Sequence, residues 1–195
     1  MPSPAASRFT FRKMLRRFGG NRRGSAVVEF ALVAPLFFAL LFAIIETAIV
    51  FFASQVLETM TQNSARMIMT GQAQSGGVTA CQSAPGVSAP CTAATFKSYV
   101  CSQIPALFDC TKLYVDVASF SSFSTVTLPS HIDANKNFDG ITGYSPGASG
   151  DIVVVRLFYE WPIFVTGLGY KLSNLASDKK LLVATAAFKN EPYSN

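Results

Sequence analysis

The rhythm of hydrophobic and polar positions changes along the chain, and each change marks an element. From Phe30 to Ile45 no residue is charged (FALVAPLFFALLFAII), and after Glu46 the apolar run resumes as TAIVFFA. The stretch from Ser25 to Ala53 exceeds the roughly 20 residues that span a bilayer, so it is expected to cross one. Past Phe52 the pattern turns amphipathic: Ala53, Val56, Leu57, Met60, Met67 and Ile68 recur at helical spacing, while Glu58, Gln62 and Arg66 follow a row on another face. Both patterns fit one helix from Ser25 to Thr70, about 70 Å long at 1.5 Å per residue and stopped by Gly71. Pro35 inside it is expected to kink or loosen it.

Residues 71–95 are rich in Gly, Ser, Ala, Pro and Gln and read as loop. A short helix is expected over Phe96–Leu107, ending near Pro105. The segment LYVDVASF (113–120) alternates, with Leu113, Val115 and Val117 on one face and Tyr114 and Asp116 on the other, which predicts a strand. Residues 121–150 read as a long irregular connection. IVVVRLFYEW (152–161) is the strongest strand: Val153, Val155, Leu157, Tyr159 and Trp161 form one apolar face, and Arg156 and Glu160 mark the other. LLVATAAF (181–188) is the last strand, with Ala184 and Ala186 small enough for a helix to approach closely. A sheet with one apolar face needs a cover, and the amphipathic half of the helix can supply it. The expected class is α+β: a long N-terminal transmembrane helix packed on a small antiparallel sheet.

Charge adds an orientation. Residues 1–24 hold Arg8, Arg12, Lys13, Arg16, Arg17, Arg22 and Arg23 and no acid, so the overall +5 is +7 in this tail and −2 in the body. A basic tail alone could suit nucleic acid; followed directly by an apolar span, it reads as a cytoplasmic anchor, because basic residues stay inside. The expected organisation is a basic cytoplasmic leader (1–24), a transmembrane half-helix (25–53) and an extracytoplasmic α+β domain (54–195). A cleaved secretory signal is the competing reading, but its apolar region should be shorter and end at a small-residue site.

Cys81, Cys91, Cys101 and Cys110 all lie beyond the apolar span. An even number in an oxidising compartment reads as two disulfides. Zinc is disfavoured by the lack of a CxxC pair and the single histidine. Four cysteines allow three pairings, and sequence alone does not choose; Cys81–Cys91 with Cys101–Cys110 leads, since each closes a local loop. Asp133, Asn135, Asn137 and Asp139 are spaced like calcium ligands, but the sixth and twelfth loop positions hold Phe138 and Tyr144 where glycine and glutamate are needed. His131 has no paired nucleophile, and no phosphate-binding glycine loop is present. No enzyme activity and no cofactor or metal is expected.

The motif with chemical content is RRGSAVVEF, Arg22–Phe30: a basic cluster, Gly24, an immediate hydrophobic run, then Glu29 and Phe30. A carboxylate in a membrane helix is costly, on the order of 2.5–3.5 kcal/mol at the bilayer centre and less near the surface. At the headgroup level it could simply cap the helix N-terminus. The order Gly, four small or apolar residues, Glu and an aromatic resembles the type IV prepilin processing site. The stretch RRGSAVVEFALVAPLFFALLFAIIE is similar to the TadE-like family of the Tad (Flp) pilus assembly system, and the ending AAFKNEPY (186–193) is similar to that family's C-terminal strand. The resemblance implies a pilin-like outer domain and a minor pilin or pseudopilin acting in pilus assembly and surface adhesion. It implies cleavage between Gly24 and Ser25 by a prepilin peptidase, and Glu29 pairing with the new α-amine of an adjacent subunit. The implied partners are that peptidase, major and minor pilins, the inner-membrane assembly platform and membrane lipid, with no nucleic acid. The implied location is the inner membrane, N-terminus in the cytoplasm and C-terminal domain in the periplasm, with incorporation into an extracellular pilus open. Glu46 has no counterpart role and is expected to mark the outer membrane–water boundary or a subunit contact. The alternative is an uncleaved, signal-anchored periplasmic sensor or binding domain.

Overall fold

The apolar and amphipathic segments form one unbroken helix, α1 (Ser25–Met69), which runs through Pro35. The fold is that of a computed structural model, which describes residues 24–82, 89–104, 107–165, 171–176 and 178–193. The leader's basic residues and Pro105 lie outside the described residues. The helix stops where expected: Gly71 adopts φ 74°, its N–H bonds to Ile68 O at 3.0 Å, and a side chain there would run into the ring of Tyr193. The chain divides into two compact units, Met1–Ile45 and Glu46–Asn195. In the first, the described helix exposes Val27, Phe30, Leu32, Val33, Leu36, Phe37 and their neighbours, and it is apolar and long enough to cross a membrane.

The second unit is built on a three-stranded antiparallel sheet ordered β1 (Leu113–Phe120), β2 (Ile152–Pro162), β3 (Lys179–Lys189). Register pairs Val115 with Leu157 and Val117 with Val155 across β1–β2, and Val155 with Ala186 and Leu157 with Ala184 across β2–β3. One core joins the face Val153, Val155, Leu157, Tyr159 and Trp161 to Leu113, Val117, Ala184 and Ala186 and to Val50, Ala53, Leu57, Ala65 and Ile68 of α1. The fold is therefore α+β, with the C-terminal part of the helix covering the sheet. Ala184 and Ala186 of β3 are both buried in that core.

Three details depart from the sequence reading. The buried row of α1 runs Glu46, Val50, Ala53, Leu57, Thr61, Ser64, Ala65, Ile68, and Val56, Met60 and Met67 only flank it. Thr61 and Ser64 look polar in sequence, but Thr61 Oγ1 donates to Leu57 O at 2.8 Å, which satisfies the hydroxyl inside the helix. The short helix, expected at Phe96–Leu107, is α3 (Ala93–Gln103). It starts earlier because Thr92 and Thr95 form a capping box; α2 (Gln72–Ser75) is a single turn before it. The opposite face of β2 is also buried at Val154, Arg156 and Phe158: the connection between β1 and β2 covers Arg156 with Pro129 and His131, and Ile132 and Phe138 pack on Phe158.

The disulfides bracket α3. Cys81 bonds Cys91, and Cys101 at the end of α3 bonds Cys110 in the turn before β1. The first is further fixed by Cys91 N–H donating to Ala73 O at 2.8 Å.

Candidate functional site

Gly24 lies directly before α1, and Ser25 is the helix's first residue. A Cβ added at Gly24 meets no atom within 4 Å among the described residues. Glu29 falls one helical turn after Ser25 on an exposed part of the helix, and Phe30 beside it is exposed too. The helix thus places Gly24, Ser25, Glu29 and Phe30 together within its first turns.

Glu46, the second acid of the apolar run, is placed differently. It is buried at 8% exposure, the first residue of the core row on α1. Its carboxylate accepts the backbone N–H of Phe164 through one oxygen and that of Val165 at 3.0 Å through the other. These two N–H groups follow the end of β2, where strand pairing no longer supplies acceptors. The acid therefore pins the segment leaving β2 to the helix. No motif signals this, because its partners lie 118 and 119 residues away in sequence.

A second polar group sits behind the sheet. Arg156 on β2 binds Asp116 on β1 through Nη2 at 2.7 Å and Nε at 3.1 Å, and its Nη1 donates to Pro129 O at 3.1 Å. Arg156 Nη2 also lies 2.8 Å from His131 Nε2, and His131 Nδ1 lies 2.9 Å from Asp139 Oδ1. A guanidinium only donates, so Nε2 accepts and Nδ1 carries the proton towards Asp139. The Asp139 carboxyl is held below its ordinary value, first by the Ile141 backbone N–H and then by the His131 side chain. Asp133 caps the loop tip by accepting the Asn137 backbone N–H at 2.7 Å, with Lys136 in the left-handed conformation at φ 61°. The spacing that resembled a calcium loop thus builds a hydrogen-bonded turn. His131 serves as a link between Arg156 and the loop, and no nucleophile is placed beside it among these partners.

The C-terminal segment closes the domain. Asn190 is buried and donates through Nδ2 to Pro146 O at 2.9 Å and Ala148 O at 3.0 Å. Glu191 N–H donates to Met69 O at 2.9 Å, which satisfies a carbonyl in the last turn of α1. Tyr193 O–H donates to Gly147 O at 3.2 Å, and its ring covers Gly71. The Asn-Glu-Pro-Tyr ending therefore joins β3 to the end of the helix and to the turn before β2.

The model of the TadE-like protein family matches residues 24–66. That region holds the Gly24–Ser25 junction, Glu29, Glu46 and α1 as far as Arg66, and it ends before the sheet. No curated protein and no solved structure matches the chain.

Proposed function

We propose, taking residues 24–66 as a TadE-like domain, that the protein is a structural minor pilin or pseudopilin of a Tad (Flp) pilus. It has no catalytic activity of its own. A prepilin peptidase cuts between Gly24 and Ser25, releasing the basic leader on the cytoplasmic face. The apolar half of α1, residues 25–53, holds the protein in the inner membrane, with residues 54–195 in the periplasm. The protein then joins major and minor pilins at the assembly platform and contributes to a pilus used in surface adhesion.

The observation that carries this reading is the coincidence of the family match with Gly24 at the helix start and Glu29 five residues on. A glycine leaves an extended backbone free for a protease. Cleavage creates an α-amine at Ser25, and Glu29 of a neighbouring subunit can neutralise it. In a low-dielectric bundle that pair is far stronger than in water and fixes the register between helices.

The test is the N-terminal mass of the protein from cells with an active prepilin peptidase. The mature chain is expected to begin at Ser25, and Gly24→Trp to leave the leader attached. An unchanged far-ultraviolet spectrum and both disulfides intact in that variant make its loss of cleavage report on the peptidase and not on misfolding. A wild-type chain that still carries residues 1–24 would mean a signal-anchored domain instead.

A further inference from the structure

We propose that Phe164, just past the end of β2, is a second membrane contact, seated at the boundary of lipid headgroups and acyl chains and held there by Glu46. This rests on the reading of α1 as a membrane helix. Phe164 is 81% exposed, the most exposed of the large apolar side chains among the described residues. Its backbone is nonetheless fixed, because its N–H and that of Val165 are both taken by the buried Glu46 carboxylate. A rigidly held, fully presented phenylalanine differs from one at a loose loop tip.

Its level along the helix identifies what it faces. Further from the N-terminus than Glu46, the same unit exposes Ile49 at 42%, Phe51 at 66% and Phe52 at 61%. Phe164 is therefore tied to α1 at a turn that precedes three more exposed apolar side chains. Between Glu29 and Glu58 the sequence has one charge, Glu46. That interval spans roughly 42 Å of helix at 1.5 Å per residue, against about 30 Å of hydrocarbon and about 40–45 Å with headgroups. The uncharged run before Glu46, Phe30 to Ile45, holds 16 residues, fewer than the roughly 20 that cross a bilayer, so Glu46 falls within the far boundary of the acyl region. A bare carboxylate at that depth is costly, and so is an unpaired backbone N–H. Glu46 and the two N–H groups resolve each other's cost, so Phe164 can enter the boundary layer. Aromatic side chains are favoured at that layer, whereas in water Phe164, Phe51 and Phe52 would each forfeit about 25 cal/mol per Å².

The full-length chain, reconstituted in phosphatidylethanolamine–phosphatidylglycerol vesicles, tests this. Trp161 is the only tryptophan, so Trp161→Phe with Phe164→Trp gives a single reporter. A matched control combines Trp161→Phe with Phe123→Trp, since Phe123 is 64% exposed elsewhere on the same unit. Lipids brominated near the headgroup end of their chains are expected to quench the indole at position 164 at least about twofold more than the indole at position 123, given aromatic partition to the interface. Adding Glu46→Ala, with both disulfides and the far-ultraviolet spectrum checked, is expected to bring that quenching down towards the control. An indole at position 164 quenched by aqueous iodide but not by brominated lipid would overturn the proposal. So would protection from both that grows with the protein-to-lipid ratio, which would make a second copy the occupant. If the chain resists carbonate extraction while the reporter at position 164 escapes lipid quenching, this inference falls alone. If carbonate releases the chain, the membrane reading falls with it.

Discussion

Two glutamates in one apolar run have opposite surroundings, and their substitutions should separate accordingly. Glu46 is buried against backbone N–H groups of its own unit, whereas Glu29 stands exposed near the helix start. Glu29→Ala is expected to leave membrane insertion intact, since removing a charge makes insertion easier. It should reduce pilus number and co-purification with other pilins, if the proposed pairing with a neighbour's α-amine holds subunits together. Unchanged pilus number and unchanged co-purification would remove that role. Acid should act on a different residue set, at the loop behind the sheet. The carboxyls of Asp139 and Asp133 are held below their ordinary value, chiefly by the backbone N–H groups of Ile141 and Asn137 respectively. For a group depressed in the folded state, the stabilisation is fully present above the unfolded value, about 3.9, and is lost as pH falls through the folded one. Hydrogen exchange across residues 131–141 is therefore expected to rise below that range, before β2 and β3 lose protection. Asp139→Asn should show the looser loop already at neutral pH. Simultaneous loss of protection in the loop and both strands would show that these carboxylates do not hold the loop separately.

At the scale of elements, periodicity made most of the molecule legible. The helix, all three strands and the face of β2 that meets the helix follow from repeats of 3.6 and 2, because burial on one side leaves that signature. What periodicity could not show were buried polar side chains, satisfied within their own helix as Thr61 is or by partners distant in sequence as Arg156 is. Thr61 and Ser64 break an apolar stripe on paper and complete it in the fold; Arg156 reads as a solvent position and is buried by partners from β1 and the connection. The early start of α3 was available in Thr92 and Thr95, whose spacing fits a capping box with a hydroxyl in the place usually held by Glu or Gln. The family resemblance supplied Gly24, Ser25 and Glu29 as candidates, whereas Glu46 needed the fold. These element contacts give a paired prediction. Leu57 is 1% exposed in the core shared with the sheet, and Phe38, 44% exposed, lies in the apolar part of the first unit. Leu57→Asp buries a charge with no partner and should unfold the outer unit. Phe38→Ala should leave its melting temperature unchanged and alter only association within the membrane. Thermal melting of the full chain in detergent decides: equal stability of wild type and Leu57→Asp would mean that the helix does not hold the sheet.

At the scale of the whole molecule, the charge of the leader and the chemistry of the cysteines should be two readings of one topology. All seven basic residues before the span precede Ser25, and all four cysteines follow it. Basic residues near a membrane segment set its orientation by staying on the cytoplasmic side, and disulfides persist only where the compartment is oxidising. The bonds at Cys81–Cys91 and Cys101–Cys110 each close a short loop, with separations of 10 and 9 residues. Loops of that size contribute roughly 2–3 kcal/mol each in the chain-entropy account, a large share of the stability of a domain whose total is about 5–15 kcal/mol. Neutralising Arg8, Arg12, Lys13, Arg16, Arg17, Arg22 and Arg23 to glutamine should therefore do more than weaken an anchor. A fraction of chains should insert with the outer unit in the cytoplasm, keep free thiols, and be cleared as an unstable domain. Thiol alkylation before denaturation, followed by a non-reducing gel, separates the two populations. The wild type should run wholly as the disulfide-bonded form, and the neutralised variant should show a reduced band whose proteolysis is faster. A reversing control restores three arginines after Ala53 in place of the leader, which should drive the reduced band up further. If the neutralised chain is fully disulfide-bonded and equally long-lived, the leader does not set the topology, and the orientation must come from the folding of the outer unit itself.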